Sequence, residues 1–275
     1  MNPNDEATTA PPETAGFDVR EFARTAHGSH RGTLDLGSLV EEPLDAESVR
    51  LVRALRDMER ATLHRVRDLL VTATHKDARV TAFLTTWMFE RFWIADALDA
   101  VLDASAAARG LPSSAGPARW VLAERRERRG PIRHSLIATV TGTQIVAAHV
   151  TTSLVDEWIT QAAYRRLAGV SPAVASILNP LVEIKLRHIR FLAEESRRRL
   201  GNSVRAQRIT RRALRHSAWP LGSVDRAKHE RTFFERHVFG DQSGRAEAGR
   251  IRAMVATLPG IGPGVASTVE SRLLP

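Results

Sequence analysis

The chain has no cysteine, a single tyrosine and only 5% aromatic residues among 275. Without Cys there is no disulfide framework, no thiolate zinc or iron–sulfur site and no Cys nucleophile. Few aromatics beside 17 glycines argue against a β-sandwich. Lysine is nearly missing as well. Only Lys76, Lys185 and Lys228 are lysines, so arginine supplies almost all of the 40 basic residues. With alanine also abundant, that bias fits high-GC codon usage, and the formal charge of +9 is a weaker pointer to polyanions than it would otherwise be. There is no membrane-length apolar run. The stretch His134–Val155 has no Asp, Glu, Lys or Arg, but it carries Thr139, Thr141, Gln144, His149, Thr151 and Thr152. It is too polar to cross about 30 Å of hydrocarbon and reads as a helix buried inside a globular protein. The first residues, MNPNDEATTAPPETAG, lack a basic start and an apolar core, so the expectation is a cytoplasmic protein with no transmembrane segment.

What is present is helix-forming: Ala, Leu, Arg and Glu, in a chain that is 43% apolar. Residues 1–15 are expected to be disordered, and 16–44, with Gly28, Gly32 and Gly37, to form loops and short turns. Apolar spacing of three and four predicts long helices over Asp45–Ala73 and Asp77–Ala104. A third is predicted over Pro131–Leu167, bent near Gly142, and a fourth from Pro172 to Leu200, kinked or divided at Pro180. Shorter helices are expected over 203–217, Val224–Phe239, Glu247–Leu258 and Val265–Leu274. The fold class is therefore all-α: a four-helix bundle over 16–200 with a basic helical extension over 201–275.

Each predicted long helix carries a carboxylate or imidazole near its middle: Glu59, Glu90, Glu157 and His188. Such groups are costly to bury unless they are paired or bind metal. Alternatives stay open at single positions. Glu59 lies between Arg56 and Arg60, which also fits a solvated face, and His188 also fits a satisfied core histidine. His64 and Glu195 are candidate substitute ligands; Glu195, near the end of its helix, fits a surface charge better. His149 lies near the face of Glu157, more than two turns away.

The segments around these residues resemble the ferritin-like superfamily of di-iron carboxylate proteins. VEIKLRHIRFLAEE (182–195) is similar to its fourth-helix segment, DEWITQAAYRRLA (156–168) to its third and FLTTWMFERFW (83–93) to its second. The resemblance covers roughly 45–200 and points to a high-GC bacterial branch that includes oxygenases and acyl desaturases. It implies a ferritin-like four-helix bundle, iron or manganese held by Glu59, Glu90, Glu157 and His188, and Tyr164 close to the reacting centre. It also implies oxidation of an apolar or acyl substrate. Two positions depart from the pattern. The family places His three residues after Glu90, where Trp93 stands, and Glu three residues before His188, where Lys185 stands. Lys185 would repel metal and neutralise Glu90 and Glu157, leaving a fossil site. The expectations are then a metal-free scaffold or an inactive subunit beside an intact ferritin-like partner, with a homo-oligomer as a further option.

A second signal is LPGIGPGVASTVESR (258–272), similar to the helix-hairpin-helix of DNA-binding proteins. In that motif Gly260 and Gly262 would let the backbone approach phosphate. The basic residue usual after the turn is replaced by Gly264. An ordinary turn within the fold is the favoured reading, although Arg205, Arg208, Arg211, Arg212 and Arg215 keep nucleic acid in view as an alternative partner.

Overall fold

A computed structural model describes residues 16–112, 142–223 and 226–275. It is all-α; no strand occurs among the described residues. In chain order the helices are α1 (Val19–Arg24), α2 (Ser38–Glu41), α3 (Ala46–Leu70), α4 (Ala78–Ala107), α5 (Ile145–Ala168), α6 (Pro172–Gly201), α7 (Val204–His216), α8 (Lys228–Phe239), α9 (Gln242–Ala256) and α10 (Pro263–Ser271). The expected N-terminal disorder over 1–15 lies outside the described residues.

Local chemistry sets the starts of the long helices. The Asp45 carboxylate accepts the Ser48 N–H at 2.6 Å, and Asp77 accepts that of Val80 at 3.0 Å. Ser171 caps α6, with Pro172 in its first turn, where a missing N–H costs nothing. Pro180 lies inside α6 without dividing it. The third long helix differs from expectation. Its described part begins at Ile145, after a 3₁₀ turn over Gly142–Gln144. Gly142 has φ of 63°, a left-handed conformation outside the helix that begins at Ile145. The expected portion before Gly142 lies outside the described residues. The 16–44 region also holds more helix than predicted, with Asp18 capping α1.

Short links at 71–77 and 169–171 fold α3 back on α4 and α5 back on α6. The two hairpins face each other, α3 meeting α5 and α4 meeting α6. The core between them contains Leu51, Leu55, Phe83, Trp87, Ile94, Leu154, Ile159 and Phe191, all fully buried. α5 is covered on nearly every side, because α7 also lies against it. That position explains its composition of Ala, Val, Thr and Ser without charge until Asp156: small residues allow close approach, and the hydroxyls bond their own helix. The helices after Gly201 join the same core through Leu214, Phe239, Ile251 and Val269. No described helix is long and apolar enough to cross a membrane.

Candidate functional site

The middle turns of α3, α4, α5 and α6 meet at a polar cluster enclosed by apolar packing. Glu59, Glu90, Glu157, Lys185 and His188 are wholly buried, as is Tyr164, and Arg91 is 1% exposed. The inward reading of Glu59 therefore holds, and the solvated-face reading does not.

Lys185 reaches two helices at once. Its Nζ donates to Glu59 Oε1 at 3.0 Å and lies 2.7 Å from Glu157 Oε2. Arg91 crosses in the other sense, with Nε donating to Glu59 Oε2 and NH1 to Glu157 Oε1 at 3.1 Å. Two carboxylates and two cations thus alternate in a closed quartet, formally neutral. Two further donors complete it. The Tyr164 hydroxyl donates to Glu59 Oε1 at 3.0 Å, and the Trp87 indole N–H to Glu157 Oε1 at 2.8 Å.

Glu90 forms a second unit beside the quartet. His188 Nε2 lies 2.7 Å from its Oε2, while the His27 backbone N–H donates to Oε1 at 3.0 Å. Arg187 approaches the same oxygen at 3.5 Å. The two units touch where His188 Nδ1 comes within 3.6 Å of Glu157 Oε1. The N-terminal segment closes this side. Phe22 packs edge-on to His188, and Arg187 binds the carbonyls of Phe22 and Thr25. The expectation that Lys185 would neutralise Glu90 is corrected: its partners are Glu59 and Glu157, and Glu90 belongs to His188.

The electrostatics follow from these contacts. Burial pushes the Glu59 carboxyl up, but Arg91 and Lys185 overcome it and leave it below its ordinary value. The same balance, with Lys185 foremost and His188 assisting, holds Glu157 well below the carboxylate range. Glu90 is pushed up by burial and drawn below its usual value by His188 and the His27 N–H. Burial disfavours the charged guanidinium of Arg91, yet Glu59 and Glu157 outweigh that and raise it. Tyr164 moves the other way. Burial, then the Glu59 charge, lift its phenol well above the usual tyrosine value.

A metal pair does not fit this arrangement. Every carboxylate oxygen of Glu59, Glu90 and Glu157 already faces a donor or a cation. Among the described residues no group of three or more His, Asp or Glu is arranged to hold a metal ion. Metal would have to displace both Lys185 and Arg91, leaving two buried cations without partners.

Other candidates fall elsewhere. Trp93 is half-buried, its ring edge-on to the exposed Phe89 and Phe92 at 6.2 and 5.1 Å. His149 bonds Thr74 through Nδ1 at 2.9 Å, and His64 is half-buried on α3. Glu195, expected at the surface, is fully buried, because Arg198, Arg199 and Arg79 close over it. In the C-terminal turn, Gly260 and Gly262 have φ of 70° and 74°, as a Pro-Gly-apolar-Gly turn requires. The turn is built into the fold. Ile261, Val265, Ala266 and Val269 are buried, the Gly260 carbonyl accepts from Arg211 at 2.7 Å, and a Cβ on Gly260 would come 2.1 Å from Gln207 Cδ. The close approach that glycine permits at 260 is occupied by Gln207 of the chain's own α7.

Sequence reasoning missed Arg91 and the Trp87 indole. Arg91 follows Glu90 directly and reads as its neighbour, whereas its long side chain sweeps round α4 to the other two glutamates. Charge balance was the available signal: three inward carboxylates need more than one lysine and one histidine. Comparison of the chain with protein-family models, with curated proteins and with solved structures gives no match.

Proposed function

We propose that this chain is a ferritin-like protein in which an ion cluster occupies the place of a di-iron centre, and that it works without metal as a scaffold or binding protein. The observation that carries the reading is the position of Lys185. Its ammonium lies within 3.0 Å of Glu59 and 2.7 Å of Glu157, on two different helices. It stands three residues before His188, where the ferritin-like pattern has a metal-ligating Glu. A cation there reverses the role of the position. The carboxylates on α3 and α5, which would be metal ligands in an oxygenase or desaturase of that pattern, are held by protein cations instead. The cluster then serves as a strut that fixes the register of four helices, because each ion pair is satisfied in one mutual alignment.

The test is elemental analysis after purification without chelator and anaerobic reconstitution with ferrous iron or manganese. The expected result is no stoichiometric metal and an unchanged melting temperature. About two ions per chain, the loading of an intact di-iron site, that disappear in Glu157→Ala would overturn the reading and restore the oxidoreductase.

A further inference from the structure

A groove of about 860 Å³ lies at the end of the bundle where α3 begins and α5 ends, with α8 along its side. Its volume falls in the range of small-ligand sites. We infer that it binds a small ligand carrying a chain of phosphoryl groups, held between the cations at the two ends of α8.

The lining is strongly basic. Arg50 comes from α3, Arg166 from α5, and Lys228 and Arg236 from α8; Glu47 is the one carboxylate that lines it. Two of these cations are already placed by their own contacts. Arg50 lies 4.1 Å from the Phe233 ring centroid, donates to Glu230 and to the His229 carbonyl, both at 3.2 Å, and so has N–H groups to spare. Arg166 is held by Asp241 at 2.7 Å. Lys228 and Arg236 differ: both are exposed, and neither has an ion-pair partner among the described residues.

Spacing decides the ligand class. Lys228, Thr232 and Arg236 recur every four residues on α8, so the two unpaired cations share one face of the helix, roughly 12 Å apart along its axis. Each has an arginine from the bundle near it, Arg50 at one end and Arg166 at the other. A single carboxylate or phosphate satisfies one end only. A polyphosphate chain spreads its charge along the groove and meets both, and guanidinium forks suit phosphoryl oxygens. The Phe233 ring is already taken, by Arg50 above it and by His237 stacked at 5.2 Å. Recognition therefore rests on the phosphoryl groups and not on stacking of an attached base.

Isothermal titration of the full chain with inorganic tripolyphosphate, then with ATP, tests this. Saturable binding of both is expected, with similar affinities, weakening as salt rises. The double variant Lys228→Ala/Arg236→Ala should lose at least about tenfold in affinity, as removal of two charge-assisted contacts requires. A control removes two exposed arginines of α7, Arg208→Ala/Arg212→Ala, and should stay within about twofold, since screened distant charges contribute little. Circular dichroism and melting temperature verify that both variants remain folded. Absence of saturable binding, equal losses in the two double variants, or displacement of tripolyphosphate by short duplex DNA at lower concentration would each overturn the assignment.

Discussion

The bundle centre and the C-terminal turn invert each other. At the centre, Glu59, Glu157, Arg91 and Lys185 are charged residues of the kind that usually faces water, yet all are buried. At the turn, Gly260 and Ile261 look prepared for an outside partner, yet Ile261 is 2% exposed and Gly260 is closed by Gln207. The difference lies in what each residue does for its own chain. The charges compensate one another, so their burial is tolerable; Gly260 admits the Gln207 side chain of α7, so its conformation is already used. Residue type alone predicts neither outcome. Partners do.

The largest effect expected at the centre comes from taking one ion out of the quartet. Lys185→Met keeps the length of the side chain and removes the charge, leaving Glu59 and Glu157 sharing Arg91 alone. Losing one partner of a buried ion pair costs about 3–5 kcal/mol, to be read from urea unfolding. Adding Glu157→Gln to Lys185→Met should recover a substantial part of that loss, because the stranded charge is gone. If the double variant is as unstable as the sum of the two singles, the quartet is not a coupled unit.

Acid sharpens the same contrast. Glu59, Glu90 and Glu157 all lie below their ordinary values in the folded state. The unfolded chain therefore takes up protons first, near the usual Glu value of about 4.3. Stability from these groups is present at neutral pH and is lost as pH falls from there through the lower folded values. Urea midpoints between neutrality and acid should fall accordingly. In Lys185→Met the fall should be shallower, since Glu59 and Glu157 have lost a cation that held them down and their folded values move up toward the unfolded one.

The turn responds to a different variable. Gly260→Ala places a side chain in left-handed backbone, which costs about 1–2 kcal/mol. It also forces Gln207 away and breaks its 2.9 Å bond to the Leu200 carbonyl, worth about 1 kcal/mol more. Gly262→Ala meets nothing within 4 Å, but its φ of 74° and ψ of 161° lie in a region essentially reserved for glycine, so it carries a backbone cost of about 1–3 kcal/mol without any contact. The contact at 260 is isolated in a Gln207→Ala background, where Gly260→Ala should cost less than in wild type, read from thermal unfolding. Equal costs in the two backgrounds would mean that docking on α7 contributes nothing to the choice of glycine at 260.

The two regions also differ in what could be read beforehand. Among the described residues the long helices were legible, because apolar spacing and the caps Asp45 and Asp77 are local signals, whereas the short α1 and α2 were not. Convergence of Glu59, Glu90, Glu157 and His188 followed from one inward group per helix. The pairing did not. Whether Lys185 meets Glu90 or Glu59 depends on the rotation of α6 against α3, and adjacency in sequence conceals the reach of Arg91 across α4. Burial of Glu195 was illegible for a related reason: Arg79, which helps to cover it, belongs to α4, more than a hundred residues earlier. The N-terminal contact at Glu90 is a backbone N–H from His27, and a backbone donor carries no residue signature.

The smallest effect expected belongs to Tyr164. Tyr164→Phe removes one hydroxyl, but Glu59 Oε1 keeps Lys185 at 3.0 Å and its other oxygen keeps Arg91. No acceptor is stranded, so the loss at neutral pH should be about 1 kcal/mol, an ordinary hydrogen bond. Alkali probes the buried, Glu59-bonded hydroxyl directly. The folded phenol is held well above its usual value, while the unfolded one ionises near 10. Its contribution is therefore complete below that pH and declines as pH rises above it, since the unfolded chain can release a proton that the buried phenol retains. Wild type should lose stability above about pH 10, and Tyr164→Phe should lose less over the same interval, bringing the two unfolding curves together. Curves that stay parallel into alkali would show that neither burial nor the Glu59 charge holds the folded phenol above its unfolded value, and the quartet would then end at its four ions.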